Sequence, residues 1–244
     1  MSNPILNEKM FTSQERILEG EPMSVQGTIG KIFMLFVCLL AGAGISLYYL
    51  FNGQSATVFP MTIFATVVGF ILVMATCFNV KIAKYTAAPY ALLEGIVLGG
   101  VSAFFEAAFQ GIVIQAIMLT FASLFVMLML YKAKLIQYTE TFRSVLLTAI
   151  LSVGAIYFVQ IILSLFSRTI PGIFDNGPVG IVFSLVVVAI ASLSLIQDFY
   201  FIESASNNLM SKDYEWYGAM GLMITLVWLY MEILRLLAKL NSRR

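Results

Sequence analysis

Five charged side chains stand inside long apolar runs of this sequence: Glu94, Glu106, Asp198, Glu232 and Arg235. A charge at the middle of a bilayer costs at least ~2.5–3.5 kcal/mol on insertion scales, so each one demands a reason. Four of the five are acids, which points to handling of a cation or a proton rather than an anion. A carboxyl taken out of water favours its neutral form, and two that share a site hold one proton more tightly still. Such a pair is the natural pH sensor for a chain that has no histidine. The same lack removes catalytic triads, HExxH zinc sites and imidazole switches. Cys38 and Cys77 lie in separate apolar runs and form no CxxC metal or redox motif. No enzyme motif is present, so neither an enzymatic activity nor a cofactor is expected.

The five differ in how much of their charge has a structural excuse. Glu106 falls at the end of its apolar run beside Gln110 and reads as interfacial. Glu232 and Arg235 are three residues apart on one helical face, where they can neutralise each other. Glu94 precedes Gly95, which with Gly99 makes a small-xxx-small stripe suited to close helix packing. Asp198 has no basic residue at three or four positions on either side, so its charge is the least accounted for.

The elements that must position these residues are set by composition. Of 244 residues, 60% are hydrophobic and 11% charged, with a mean hydropathy of +0.93. A soluble domain carries about a quarter charged residues, so this chain reads as a polytopic membrane protein. At roughly 20 residues per crossing, the apolar runs predict seven spans, at 32–51, 59–80, 86–105, 110–131, 144–166, 179–203 and 216–238. They form a transmembrane domain over 32–240, between a polar tail at 1–31 and a short basic tail at 241–244. The N-terminal tail and alternate loops hold Lys9, Arg16, Lys31, Lys81, Lys84, Lys132, Lys134, Arg143 and Lys212, against Arg168 alone in the opposite loops; seven full spans put Arg235, Lys239, Arg243 and Arg244 on the far side against this bias, unless the last segment is re-entrant. That bias predicts a cytoplasmic N-terminus. A net charge of +1 offers nothing to nucleic acid.

Four segments resemble one known family in the right order. Ser194-Leu195-Ile196-Gln197-Asp198-Phe199-Tyr200-Phe201-Ile202-Glu203 is similar to the sixth-helix signature of the Bax inhibitor-1 (transmembrane Bax inhibitor motif) family. Trp228-Leu229-Tyr230-Met231-Glu232-Ile233-Leu234-Arg235-Leu236-Leu237 resembles its last helix. Pro89-Tyr90-Ala91-Leu92-Leu93-Glu94-Gly95 and Met23-Ser24-Val25-Gln26-Gly27-Thr28 resemble a bacterial, YetJ/YccA-like subgroup. The resemblance implies a seven-helix bundle with a central last helix, in the bacterial inner (plasma) membrane. It also implies a calcium leak whose closed-to-open switch is a protonatable pair, which maps onto Asp198 and Glu232. The arginine that latches the pair in the family corresponds to about Cys77 here, and Lys81, one turn on, is the nearest cation. Glu94, Arg235 and Lys81 are accessory candidates.

Geometry sets a condition on the pair. If the sixth helix ended at Ser204, Asp198 would lie about 9 Å inside it, and Glu232 about 24 Å along the last helix from Trp216. The acids meet only if the sixth helix runs on to about Leu209 or the last helix is displaced. The stretch Ser204–Leu209 contains no Pro or Gly, so the extension is expected. The leading expectation is a pH-gated calcium leak channel or exchanger, the acids Asp198 and Glu232 lending a passing calcium ion oxygen ligands. The alternative is a non-transporting regulator that binds another membrane protein, such as a quality-control protease.

Overall fold

A computed structural model of the chain describes residues 21–242. Seven long helices make up most of it: α1 (Val25–Phe51), α2 (Ser55–Phe78), α3 (Ala83–Ala108), α4 (Ile112–Lys132), α5 (Glu140–Leu165), α6 (Pro178–Asn207) and α7 (Asp213–Asn241). A 3₁₀ turn, Val80–Ile82, precedes α3. All seven helices are long and apolar enough to cross a membrane, and the described residues contain no named strand. The protein is an all-α, multi-pass membrane protein. The tail charges Lys9 and Arg16, and the terminal Arg243 and Arg244, lie outside the described residues.

The helices outrun the apolar segments at several ends, because caps rather than loss of hydrophobicity stop a helix. α1 begins at Val25, not Ile32, since the Ser24 hydroxyl accepts a hydrogen bond from the Gly27 amide. Lys31 therefore belongs to a helix and not to a tail. α2 starts at Ser55 and carries Pro60 inside it. α6 continues to Asn207, and α7 spans Asp213 to Asn241 where 216–238 was expected. Glu106 acts as a cap. Its carboxylate accepts from the Gly111 and Val113 amides and closes the start of α4, with Gly111 at a φ of 81° making the turn.

Within the spans, hydroxyls bond back to carbonyls four residues earlier, as at Thr62, Thr66, Thr120, Thr148, Ser152, Ser192 and Ser194. Lipid offers no other partner for such groups.

The chain divides into two compact units, each described by itself. The first holds the residues up to Val97 together with Phe201–Gly221. In it α1 and α3 cross backbone against backbone. A Cβ on Gly95 would sit 2.8 Å from the Leu39 carbonyl carbon, and one on Gly42 3.0 Å from the Ile96 nitrogen. The Ser46 hydroxyl donates to the Ile96 carbonyl beside this crossing, at 2.7 Å. The segment Glu21–Ser24 lies along the α6–α7 connection as a strap. Pro22 pairs with Ser211 in an isolated antiparallel bridge, and the Met23 amide donates to the Met210 carbonyl at 2.8 Å. Met23 itself is buried with Ile202 and Ala205.

Glu215 anchors that strap from the first turn of α7. Its buried carboxylate accepts from the Ser24 amide and hydroxyl and pairs with Lys31, whose amine also lies over the Trp216 ring. Gly27 leaves the room: a Cβ there would fall 2.6 Å from the Glu215 carboxyl carbon. Nothing in the hydropathy of the sequence marks this cluster.

The second unit holds Leu98–Tyr200 and the residues from Leu222 onward. α7 buries a larger share of its span than any other helix, in keeping with the charge it carries. Near its end the Lys239 amine is buried and donates to the carbonyls of Ile173 and Gly180, at 3.0 and 2.9 Å. Tyr230, two turns earlier, pairs its hydroxyl with Ser102 at 2.6 Å.

Candidate functional site

The second unit contains both acids that the sequence singles out, and it treats them differently. Glu232 is 2% exposed and surrounded by donors. Its Oε1 accepts from the Trp228 indole at 3.2 Å and from Arg235 Nη1 at 3.0 Å, and the Tyr157 hydroxyl lies 2.9 Å from both carboxylate oxygens. Arg235 Nη1 also donates to the Tyr157 oxygen at 2.8 Å, and its guanidinium stands over that ring. The ring packs in turn against Phe174 and Phe183. A carboxylate with a bound guanidinium and two further donors is a satisfied buried charge.

Asp198 is the opposite case. It sits on α6, the most apolar of the seven spans. The Thr225 hydroxyl on α7 hydrogen-bonds its carboxyl. The residue as a whole is only half-buried, yet Oδ2 is fully buried and has no hydrogen-bond partner among the described residues. Buried polar atoms of this kind are rare in folded proteins and ask for an explanation.

The two carboxyls do not form one hydrogen-bonded site. Thr225 and Glu232 are seven residues apart on α7, about 10 Å along its axis, so the partner of Asp198 lies two turns from Glu232. α6 does extend past Ser204, but α7 also begins earlier than expected. From the α6–α7 connection, Asp198 is about 14 Å deep and Glu232 about 28 Å along, at 1.5 Å per residue. Arg235, a neighbour on the same helix, takes the glutamate instead.

The accessory candidates stand elsewhere. Glu94 is half-buried on α3 in the first unit, one turn from Tyr90, with Gly69 of α2 facing both. Lys81 is exposed in the 3₁₀ turn, its amide capped by the Asn79 side chain. Cys77 is exposed on α2. Among the described residues no three acids or cysteines converge to hold a metal ion. A calcium ion at Asp198 would meet one carboxylate and the Thr225 hydroxyl, where this ion takes six to eight oxygens.

Sequence reasoning missed Tyr157, Thr225, Trp228 and Lys239. A helical signal was available for three of them. Thr225, Trp228, Glu232, Arg235 and Lys239 recur at three- and four-residue spacing, which puts them on one stripe of α7. Tyr157, on another helix, left no such trace.

No curated protein matches the chain in a sequence comparison. A family model described as Bax inhibitor 1 like matches residues 3–242, nearly the whole length, and the chain belongs to that family.

Proposed function

We propose that this protein is a cation leak pathway of the membrane, gated by pH, with Asp198 as the group whose charge changes and Glu232 as a fixed structural acid. One observation carries the reading: a carboxyl well inside a membrane span has a buried oxygen with no partner among the described residues. An ion or a proton arriving at that oxygen supplies what the protein withholds. Glu232 is poorly suited to the same role, because Arg235 already balances it. Calcium is the cation we assign, in line with the family, and the basic residues of the N-terminal tail and alternate loops argue for a cytoplasmic N-terminus.

Ion flux into liposomes holding the purified protein tests this, from pH 5 to 8, with calcium- and proton-sensitive dyes in parallel. Asp198→Asn keeps the shape and removes the charge change, so flux becomes independent of pH. Glu232→Gln retains the pH dependence at reduced stability. Loss of pH dependence in Glu232→Gln, with none in Asp198→Asn, overturns the assignment. Absence of flux at every pH moves the protein to the class of membrane regulators that act by binding another membrane protein.

A further inference from the structure

Within the first unit, nothing around Glu94 accounts for its charge. It lies eleven residues beyond Ala83, about 16 Å from the start of α3 at 1.5 Å per residue, so it stands deep in the span. A carboxyl kept at such depth for structure has donors, as Glu232 has in Arg235. Glu94 has none. Neither its carboxyl nor the Tyr90 hydroxyl, one turn away, makes a hydrogen bond or ion pair among the described residues. Yet Tyr90 is only 5% exposed. α2 faces both with Gly69, where a Cβ would lie 4.0 Å from Glu94 Oε2 and 3.8 Å from the Tyr90 ring. A glycine offers no side-chain donor, so the polar contact that joins two membrane helices is missing at this level.

No base of the unit balances the acid. Between Ile32 and Val80, α1 and α2 hold no Asp, Glu, Lys or Arg. Lys31, Lys84 and Lys212 pair with Glu215, Asp213 and Glu21, and Lys81 is exposed in the 3₁₀ turn. The face of α3 that carries Glu94 is nonetheless polar back to the helix start. Thr86, Tyr90 and Glu94 recur every four residues and make one stripe. Thr76 of α2 meets Thr86 with the two hydroxyl oxygens 2.7 Å apart, both residues buried. The seam between α2 and α3 thus sets hydroxyls at one-turn intervals from the start of α3 to the carboxyl.

We propose that Glu94 binds and releases a proton in this seam, as a site separate in its residues from the one at Asp198. An unpaired charge in a membrane span is costly, and a proton on the carboxyl removes it. Acids of this kind mark proton relays in transporters. The inference does not depend on the reading of Asp198.

Dicyclohexylcarbodiimide tests it, being an apolar reagent that enters bilayers and reacts with protonated carboxyls. The acid proton passes to one carbodiimide nitrogen, the carboxyl oxygen adds to the central carbon, and the acyl group then moves to nitrogen as a stable acylurea. The full chain in lipid nanodiscs is treated between pH 6 and pH 9, and adducts are assigned to residues by mass spectrometry. Glu94 should react at least about tenfold faster at pH 6 than at pH 9, the change expected of a buried carboxyl that gives up its proton in this range. Glu106 and Glu232, each bound by its own donors, should stay unlabelled. No adduct at Glu94 at any pH overturns the site, and so does a rate there that ignores pH or equal labelling of Glu232. Glu94→Gln should lose this adduct alone, and the parent protein decides the case even if that variant fails to fold. Asp198 is read separately in the same spectra, so labelling of one acid without the other tells the two assignments apart.

Discussion

The crossing of α1 and α3 is the tightest packing in the first unit, and it makes a quantitative demand. Gly42→Ala brings a methyl 3.0 Å from the Leu92 carbonyl carbon and the Ile96 nitrogen, and nearer still to the Leu92 oxygen. Gly95→Ala does the same against Leu39 and Ala43. Carbon atoms settle at about 3.5–4.0 Å, so either substitution must part the helices by about 1 Å. The obstacle is backbone and cannot rotate aside. Overpacking of this kind costs typically 1–3 kcal/mol, and here the Ser46–Ile96 hydrogen bond lengthens with it. Once one methyl has opened the crossing, the second finds room. The double variant should therefore fall short of the sum by about 1 kcal/mol or more, the coupling expected of residues in contact. Gly44→Ala is the control, since nothing lies within 4 Å of a Cβ at that position. Reversible unfolding in mixed micelles measures the four variants against the parent. A Gly95→Ala variant as stable as Gly44→Ala, or strictly additive effects, would refute the reasoning.

Other contacts lead to outcomes of their own. Tyr157→Phe removes a hydroxyl that bridges Glu232 and Arg235, and should lower stability by about 1–2 kcal/mol in the same micelle assay, with the pH dependence of flux retained. Lys239→Met deletes two hydrogen bonds to carbonyls at Ile173 and Gly180; proteolysis at 171–178 should accelerate, and an unchanged rate argues that the loop is held by other contacts. Glu21 is held below its ordinary value of 4.5, first by its hydrogen bond from Lys212 and then by that residue's charge. A depressed carboxyl stabilises above the unfolded value, and that contribution is lost as pH falls through the folded one. Protection of the Met23 amide, its exchange rate set against that of an unstructured amide at the same pH, should therefore fall below pH 4.5 in the parent but not in Glu21→Gln, with no change between pH 8 and 6.

The seven crossings were legible because a span announces itself through twenty apolar residues, whatever its neighbours do. Asp198 was legible for a related reason: a charge without a local partner stands out in such a run. What the sequence could not convey was the choice between partners. Glu232 has an arginine three residues away and an acid on the preceding helix, and both pairings satisfy the pattern. The choice depends on axial register, which the lengths of α6 and α7 set, and both helices extend past their apolar runs through polar residues. The strap was invisible for another reason. Ser24, Gly27, Lys31 and Glu215 belong to polar flanks, nearly two hundred positions apart at the extremes, where hydropathy carries no information.

The buried amine of Lys239, on the carbonyls of Ile173 and Gly180, bears on how the molecule is made. α7 is the segment least able to enter lipid alone, since Glu232, Arg235 and Lys239 each oppose insertion. Every partner described for these charges outside α7 precedes it in the chain: Tyr157 for the glutamate and arginine, and Ile173 before α6 with Gly180 in its first turn for the lysine. Synthesis therefore delivers α7 last of the seven, to a membrane where its counterparts already wait. A substitution at Gly180, or one at Tyr157 that removes the whole ring and not the hydroxyl alone, would then register first as a chain whose last of these crossings fails, before any question of transport arises.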